Sequence, residues 1–278
     1  MSEIRMVRTV DDMRAQVAAW KAEGLRVGLV PTMGALHAGH LSLVDQISQK
    51  ADRIIVSIFV NPTQFAAHED LDTYPRQEAR DLEALAGHAA DCVYAPLARE
   101  VYPEGFATAI HMQGPALGLE TDDRPHFFGG VALVVAKLFT QSQAGVAIFG
   151  EKDYQQLLVI RRMARDLDLP VEILGAPIIR EADGLAMSSR NAYLNAEQRQ
   201  IAGKLNGILA DLAVSDLPIE EAENAAREKL LAAGFTQVDY AALRDGDSLQ
   251  AIGADSQHRR ALIAARIDNI RLIDNMPA

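Results

Sequence analysis

A single cysteine in 278 residues, Cys92, rules out a disulfide framework within the chain and points to a reducing setting. Its surroundings, "CVYAP", read as a buried strand, so a core thiol is expected. No stretch approaches the roughly 18 consecutive apolar residues of a membrane-spanning helix. The opening "MSEIRMVRTV" lacks the apolar segment of a secretory signal, and a cytoplasmic protein is expected. Positive charge is scarce. Against 38 Asp and Glu stand 27 Lys and Arg, a net charge of −11. That argues against a nucleic-acid partner, because affinity for a phosphate backbone comes mainly from clustered Lys and Arg. A mononucleotide, which needs only a few local donors, is not excluded. Low-complexity linkers and internal repeats are also missing.

What is present suits a soluble globular chain of one large or two modest domains. It is 49% hydrophobic and 23% charged. Up to about residue 180, short apolar runs alternate with stretches of helical spacing. Strands are expected at 26–30, 53–60, 92–96, 145–150 and 171–178, with helices at 39–51, 77–90, 130–143 and 153–167. The run "RIIVSIFV" is apolar throughout, as for a strand buried on both faces. This alternation predicts an α/β fold, a Rossmann-like parallel sheet with helices on both faces. Ligands of such sheets bind beyond the carboxyl ends of the strands. From 180 the pattern changes to helices near 196–213 and 218–233, then strands at 238–245, 259–267 and 271–275. Two domains are therefore expected, 1–179 and a smaller α+β unit over 180–278, packed closely together.

Four motifs carry the chemistry. In "PTMGALHAGH" (31–40), Pro31 ends a strand and Gly34 allows a tight turn. His37 and His40, spaced i and i+3, share one face at a helix start. That start is expected to offer free backbone N–H groups and the positive end of a dipole to phosphate, and the imidazoles can donate to it as charge grows. In "SIFVNPTQF" (57–65), the amides of Asn61 and Gln64 suit hydroxyl and carboxylate recognition. In "FGEKDYQQL" (149–157), Gly150 and Lys152 follow a strand, with Lys152 a mobile cation for phosphate. Asp153 there either caps the next helix or binds a ribose hydroxyl. In "DGLAMSSRN" (183–191), Ser188, Ser189 and Arg190 have the chemistry of a polyphosphate clamp at the domain junction.

Taken in order, these motifs, with "YPR" (74–76) and "RLIDN" (271–275), resemble the pantothenate synthetase family over about residues 26–275. His37 and His40 match its HIGH-type motif, shared with class I aminoacyl-tRNA synthetases and nucleotidylyltransferases. One segment departs from the family pattern. Many members read "RPGHFRGV" where this chain has "RPHFFGGV" (124–131), with the histidine at His126 and Gly129 in place of an arginine.

The resemblance implies ATP-dependent condensation of pantoate with β-alanine, through a pantoyl adenylate, releasing AMP and diphosphate. By motif position, His37 and His40 would bind the triphosphate and stabilise the leaving group. Lys152, Ser188, Ser189 and Arg190 would grip the phosphates. Gly150 and Asp153 would lie at the ribose, and Met33, Ile179 and Met187 in the nucleotide site. Gln64 and Gln156 would hold pantoate, with Asn61 nearby and Gln64 also near β-alanine. His37, His40, Lys152 and Arg190 would be the catalytic set. Mg²⁺ would accompany ATP, held by phosphate and water without a protein ligand. The second domain would act as a lid, and the family forms homodimers. The H-x-G-H turn alone does not separate this activity from nucleotidyl transfer to a small phosphorylated substrate. Gln64 and Gln156 favour a small polar acid. A non-catalytic nucleotide sensor is the reading from another class.

Overall fold

The computed structural model describes residues 4–65, 71 and 74–278. It opens with two elements that the sequence pattern did not suggest, β1 (Arg5–Val7) and α1 (Val10–Ala22). Thr9 caps α1, its Oγ1 accepting from the Asp12 N–H at 3.1 Å. Met13, Val17 and Trp20, at i, i+4 and i+7, are its buried face. The chain continues through β2 (Val27–Thr32), α2 (Ala38–Ile47), β3 (Arg53–Ile58), α3 (Glu78–Leu85) and β4 (Cys92–Tyr94). The one-turn helices α4 (Ala98–Val101) and α5 (Glu120–Asp123) lead to α6 (Phe127–Ser142), β5 (Val146–Gly150), α7 (Tyr154–Asp166) and β6 (Glu172–Ala176).

Six strands form one parallel sheet in the order β1-β4-β3-β2-β5-β6. Alternate residues face opposite layers. Ile55, Cys92 and Tyr94 pack with α1, α6 and α7. Ile54, Val56 and Val93 pack with α2 and α3. Covering both faces is why these strands read as unbroken apolar runs. From β2 the chain moves outward to β3 and β4, then returns to the other side of β2 for β5. The carboxyl ends of β2 and β5 therefore flank the topological switch point, where open α/β sheets hold ligands.

From Leu185 onward a second core forms. It comprises α8 (Ala196–Ala202), α9 (Leu205–Ala213), α10 (Ile219–Ala233) and the antiparallel strands β7 (Gln237–Asp245), β8 (Arg259–Ile267) and β9 (Ile270–Pro277). The single helix expected over 196–213 is two helices, broken at Gly203. A Cβ there would lie 2.6 Å from Asp183 Oδ2, and that carboxylate pairs with Arg199. The break lets a buttressed loop approach the helix.

One face of the small sheet covers its own helices. The other meets the large domain. Ala242 and Leu262 pack with Leu119 and Leu158. Beside this patch, Glu120 accepts from Arg271 Nη1 and from the Tyr240 hydroxyl, both at 2.7 Å. Arg271 Nε also donates to Asp239 at 2.7 Å. Burial raises the Glu120 carboxyl, but Arg271, Tyr240 and Arg124 outweigh it and hold it below the usual range.

Candidate active site

One cavity of about 930 Å³ opens along the carboxyl edge of the large sheet and is closed by the small domain. It lies at the upper end of the range for small-molecule sites, roughly 300–1,000 Å³. The residues assigned to substrates or catalysis from the sequence all line it, and they follow the strand order. Asn61 and Gln64 come after β3. Met33, His37 and His40 come after β2. Gly150, Lys152, Asp153 and Gln156 come after β5. Ile179, Met187, Ser188, Ser189 and Arg190 come after β6.

The histidine turn differs from its expected form in one respect. Its backbone N–H groups are largely taken by protein acceptors. Gly34 N–H donates to Thr32 Oγ1 at 3.2 Å. Ala35 and Leu36 donate to Asp81 at 3.1 and 2.8 Å. His37 N–H donates to His40 Nδ1 at 3.4 Å, and Gly39 N–H to His37 Nδ1 at 3.1 Å. The last two bonds form a reciprocal cap on α2. Because both Nδ1 atoms accept, each ring carries its proton on Nε2. The rings lie 4.1 Å apart between centroids.

Burial, then the charge of Lys152, lowers His37 to about 4, against the opposing pull of Asp153 and Glu181. Burial, then His37 and Lys152, lowers His40 to about 3. Both rings are neutral at pH 7. What the turn offers an anion is thus two neutral Nε2–H donors rather than a row of backbone amides.

Lys152 sits in the single 3-10 turn Glu151–Asp153 that joins β5 to α7. Its ammonium lies 3.9 Å from Asp153. Asp153 makes no side-chain cap on α7, which leaves its carboxylate for other partners. A Cβ on Gly150 would meet nothing nearer than the Lys152 nitrogen at 4.0 Å. No protein contact crowds this position, which leaves room beside the backbone. The turn is held from the small domain by Asn275 of β9. Its Nδ2 donates to the Glu151 and Lys152 carbonyls, both at 2.9 Å. Its Oδ1 accepts from Arg260 at 2.8 Å.

The amide loop is cross-braced. Asn61, 1% exposed, donates to Gln64 Oε1 and the Gly130 carbonyl at 3.1 and 3.2 Å. Its Oδ1 accepts from Thr63 Oγ1 and the Tyr102 hydroxyl. Both of its amide hydrogens are in use, so its arrangement suits aiming Gln64 more than touching a ligand. Gln64 in turn donates to Met33 Sδ at 3.0 Å, a weak acceptor that a carboxylate or hydroxyl would displace. Of the Gln pair opening α7, Gln155 is bound into scaffold at Glu120, Pro115 and Gly118. Gln156 faces the cavity.

The departing segment 124–131 has a steric basis. A Cβ on Gly130 would lie 2.3 Å from the Thr63 carbonyl, and one on Gly129 would lie 2.9 Å from that of Ile110. Helix α6 is pressed against the amide loop, and any side chain at Gly129 would force the segment at Ile110 away. His126 is exposed and does not line the cavity. Arg124 does, donating to the Gln64 carbonyl at 3.1 Å and stacking over Phe127 at 3.8 Å.

Several contributors were not singled out from the sequence. Phe127, Val131, Val134 and Val135 of α6, with Phe59 and Phe149, give the cavity an apolar wall. In sequence they read only as core. Tyr74, within the "YPR" motif, meets Ser189 Oγ at 3.3 Å. Ser188 caps its own turn, its Oγ accepting from the Arg190 N–H at 3.3 Å.

Comparisons with known proteins identify the family. A family profile described as Pantoate-beta-alanine ligase matches residues 5–277. The pantothenate synthetase of Caulobacter vibrioides is 56% identical over 277 residues, 98% of this chain and 97% of that one. That of Mesorhizobium japonicum is 53% identical over 279 residues, 99% and 98% of the two chains. A crystal structure of pantothenate synthetase from Thermus thermophilus superposes with a TM-score of 0.90 at 43% identity, covering 98% of this chain and 99% of that chain. A pantoate-beta-alanine ligase from Francisella tularensis, complexed with beta-gamma ATP and beta-alanine, gives a TM-score of 0.85 at 32% identity, covering 99% and 97%. With its fold and nearly its whole length in common with these proteins, the chain belongs to the pantoate-beta-alanine ligase (pantothenate synthetase) family.

Proposed function

We infer that this chain is a pantoate–β-alanine ligase, joining pantoate to β-alanine with cleavage of ATP to AMP and diphosphate. One observation carries the reading. A single cavity combines neutral Nε2–H donors and a lysine at the switch point with an amide-braced, apolar-walled end beside them. Pantoate has a geminal dimethyl group for the apolar wall, and hydroxyls and a carboxylate for Gln64 and Gln156.

In the first step the pantoate carboxylate attacks the α-phosphate and diphosphate departs. This needs alignment and charge stabilisation rather than a protein nucleophile. His37 and His40 donate Nε2–H to oxygens that gain charge, at no cost in removing a charged ring from water. Lys152 supplies the cation, and Ser188, Ser189 and Arg190 complete the grip. Met33, Ile179 and Met187 lie against the nucleoside, with Gly150 and Asp153 at the ribose. In the second step the β-alanine amine attacks the acyl carbon near Gln64, and AMP leaves.

Mg²⁺ would travel with ATP and neutralise the departing diphosphate. The ion would be held by phosphate and water, as is usual for Mg²⁺. The segment 185–191 lies on the cavity wall. We therefore read 180–278 as a domain that closes over the site on 1–179 and shields the adenylate from water. A cytoplasmic homodimer is proposed from family membership, and light scattering near twice the 30.2 kDa chain mass would support the dimer.

The deciding experiment is isotope exchange between diphosphate and ATP. Exchange is expected only when pantoate is present. Exchange without pantoate, or none with it, would overturn the adenylate route. Free AMP as product separates ligation from nucleotidyl transfer.

A further inference from the structure

Helix α3 places a carboxylate where apolar packing would be expected. Asp81 is 2% exposed, and its neighbours Leu36, Ile58, Leu82 and Leu85 belong to the apolar layer under the sheet. No cation contributes to its environment among the described residues. Burial raises its carboxyl above the usual range, Glu78 one turn earlier adds to this, and only the Leu36 and Ala35 N–H groups oppose them. A buried carboxylate with no cation is an expensive residue, so its partners explain its presence.

Those partners are the histidine turn. Gly34 and Ala35 both have left-handed backbone, with φ of 85° and 51°. The turn points the Ala35 and Leu36 N–H groups into one concavity that suits an anion. For Ala35 the conformation is strained and persists only if the surroundings enforce it. Asp81 Oδ2 accepts from Ala35 and Oδ1 from Leu36, at 3.1 and 2.8 Å. The fit is close from the other side too, since a Cβ on Gly34 would lie 2.9 Å from Asp81 Oδ2. His37 follows immediately, and its N–H and ring engage the reciprocal cap with His40 and Gly39.

We propose that Asp81 is a positioning residue, a resident anion that fixes the strained turn from which His37 and His40 present Nε2–H to the departing diphosphate. The functional half of this statement rests on the reading of the site as a ligase. The structural half does not.

Asp81→Asn keeps the shape but turns an amide NH₂ toward one of the two N–H donors. It is expected to lower kcat for pantoate-dependent exchange at least about tenfold, through misplacement of the histidines. KM for pantoate, held at Gln64 and Gln156, should stay within about twofold. In a His37→Ala background the same change should cost clearly less than in the wild type, because one of the two side chains it acts through is already removed. Gly34→Ala, which pushes on the same carboxylate from the turn, should reproduce the pattern if Asp81→Asn proves too unstable to purify.

A readout independent of activity comes from nitrogen-resolved NMR of the imidazoles in the ligand-free protein. The His37 and His40 ring resonances are expected to move in the folded variant. Unmoved rings, or an equal loss of kcat with and without His37, would overturn the proposal. A wild-type protein without pantoate-dependent exchange would instead overturn the ligase reading, and the ring resonances would still decide the role of Asp81.

Discussion

At the scale of single residues, the site sets two neutral imidazole donors beside the Lys152 ammonium. His40 and Lys152 are expected to be the most sensitive positions. His40→Ala and Lys152→Ala should each lower kcat/KM by at least about 10²-fold, the usual effect of deleting one transition-state donor. Near-normal turnover in either would refute its role. The neutrality of the histidines also has a stability consequence. Unfolded, they titrate near the ordinary 6.5, and folded near 4 and 3. As pH falls, the unfolded chain therefore binds these protons first. Their contribution to stability is complete above about pH 6.5 and is lost as pH drops through 6.5 toward 4. The thermal midpoint of the ligand-free protein should decline over that window. The decline should be shallower in a His37→Asn/His40→Asn variant, and equal slopes would contradict the assignment.

At the scale of elements, β9 matters more than its place at the chain's end suggests. It reaches into the large domain and holds the Lys152 turn through Asn275, 2% exposed. Removing that amide leaves Arg260 and two carbonyls short of a partner, at about 1–3 kcal/mol for such buried groups. Asn275→Ala should therefore lower stability by that order in chemical denaturation. It should also lower kcat more than KM for pantoate, and an unchanged kcat would show that the turn stands without β9. "RLIDN" was legible as a family motif, but not what it does, because pairing between the two ends of a site is not encoded in local period. The same limit explains other misses. The run to residue 22 hides α1 because its buried face is only Met13, Val17 and Trp20 among alanines and charged residues. The break at Gly203 follows from the approach of Asp183, a residue distant along the chain. By contrast β2, β3, β5 and the loops after them were readable, because burial on both faces and punctuation by Pro31, Pro62 and Gly150 are local features. Asp81 was not singled out from the sequence, where it is one of several acids on α3. Only the turn it serves distinguishes it.

At the scale of the molecule, the two domains meet through an apolar patch and a buried charge network. Arg271 bridges Glu120 of one domain and Asp239 of the other, with all three side chains largely shielded. Removing one partner of such a network leaves a buried charge uncompensated, at about 3–5 kcal/mol. Arg271→Ala should lower stability by that order, while Glu120→Gln/Arg271→Met together should lose clearly less. Equal losses would mean that packing rather than charge holds the junction. The junction constrains the proposed domain closure too, since Asn275 and Arg271 fix two points about which the smaller unit would have to turn. The burial of Cys92 makes that motion accessible to spectroscopy. Its thiol is fully enclosed and pushed up to about 11, so at neutral pH it is silent toward thiol-directed dyes. The unmodified chain is therefore a dark background. Cysteines placed at the exposed positions Leu97 and Val214, one on each domain, would be the sole sites of labelling, and energy transfer between them would follow the gap as ATP and pantoate are added.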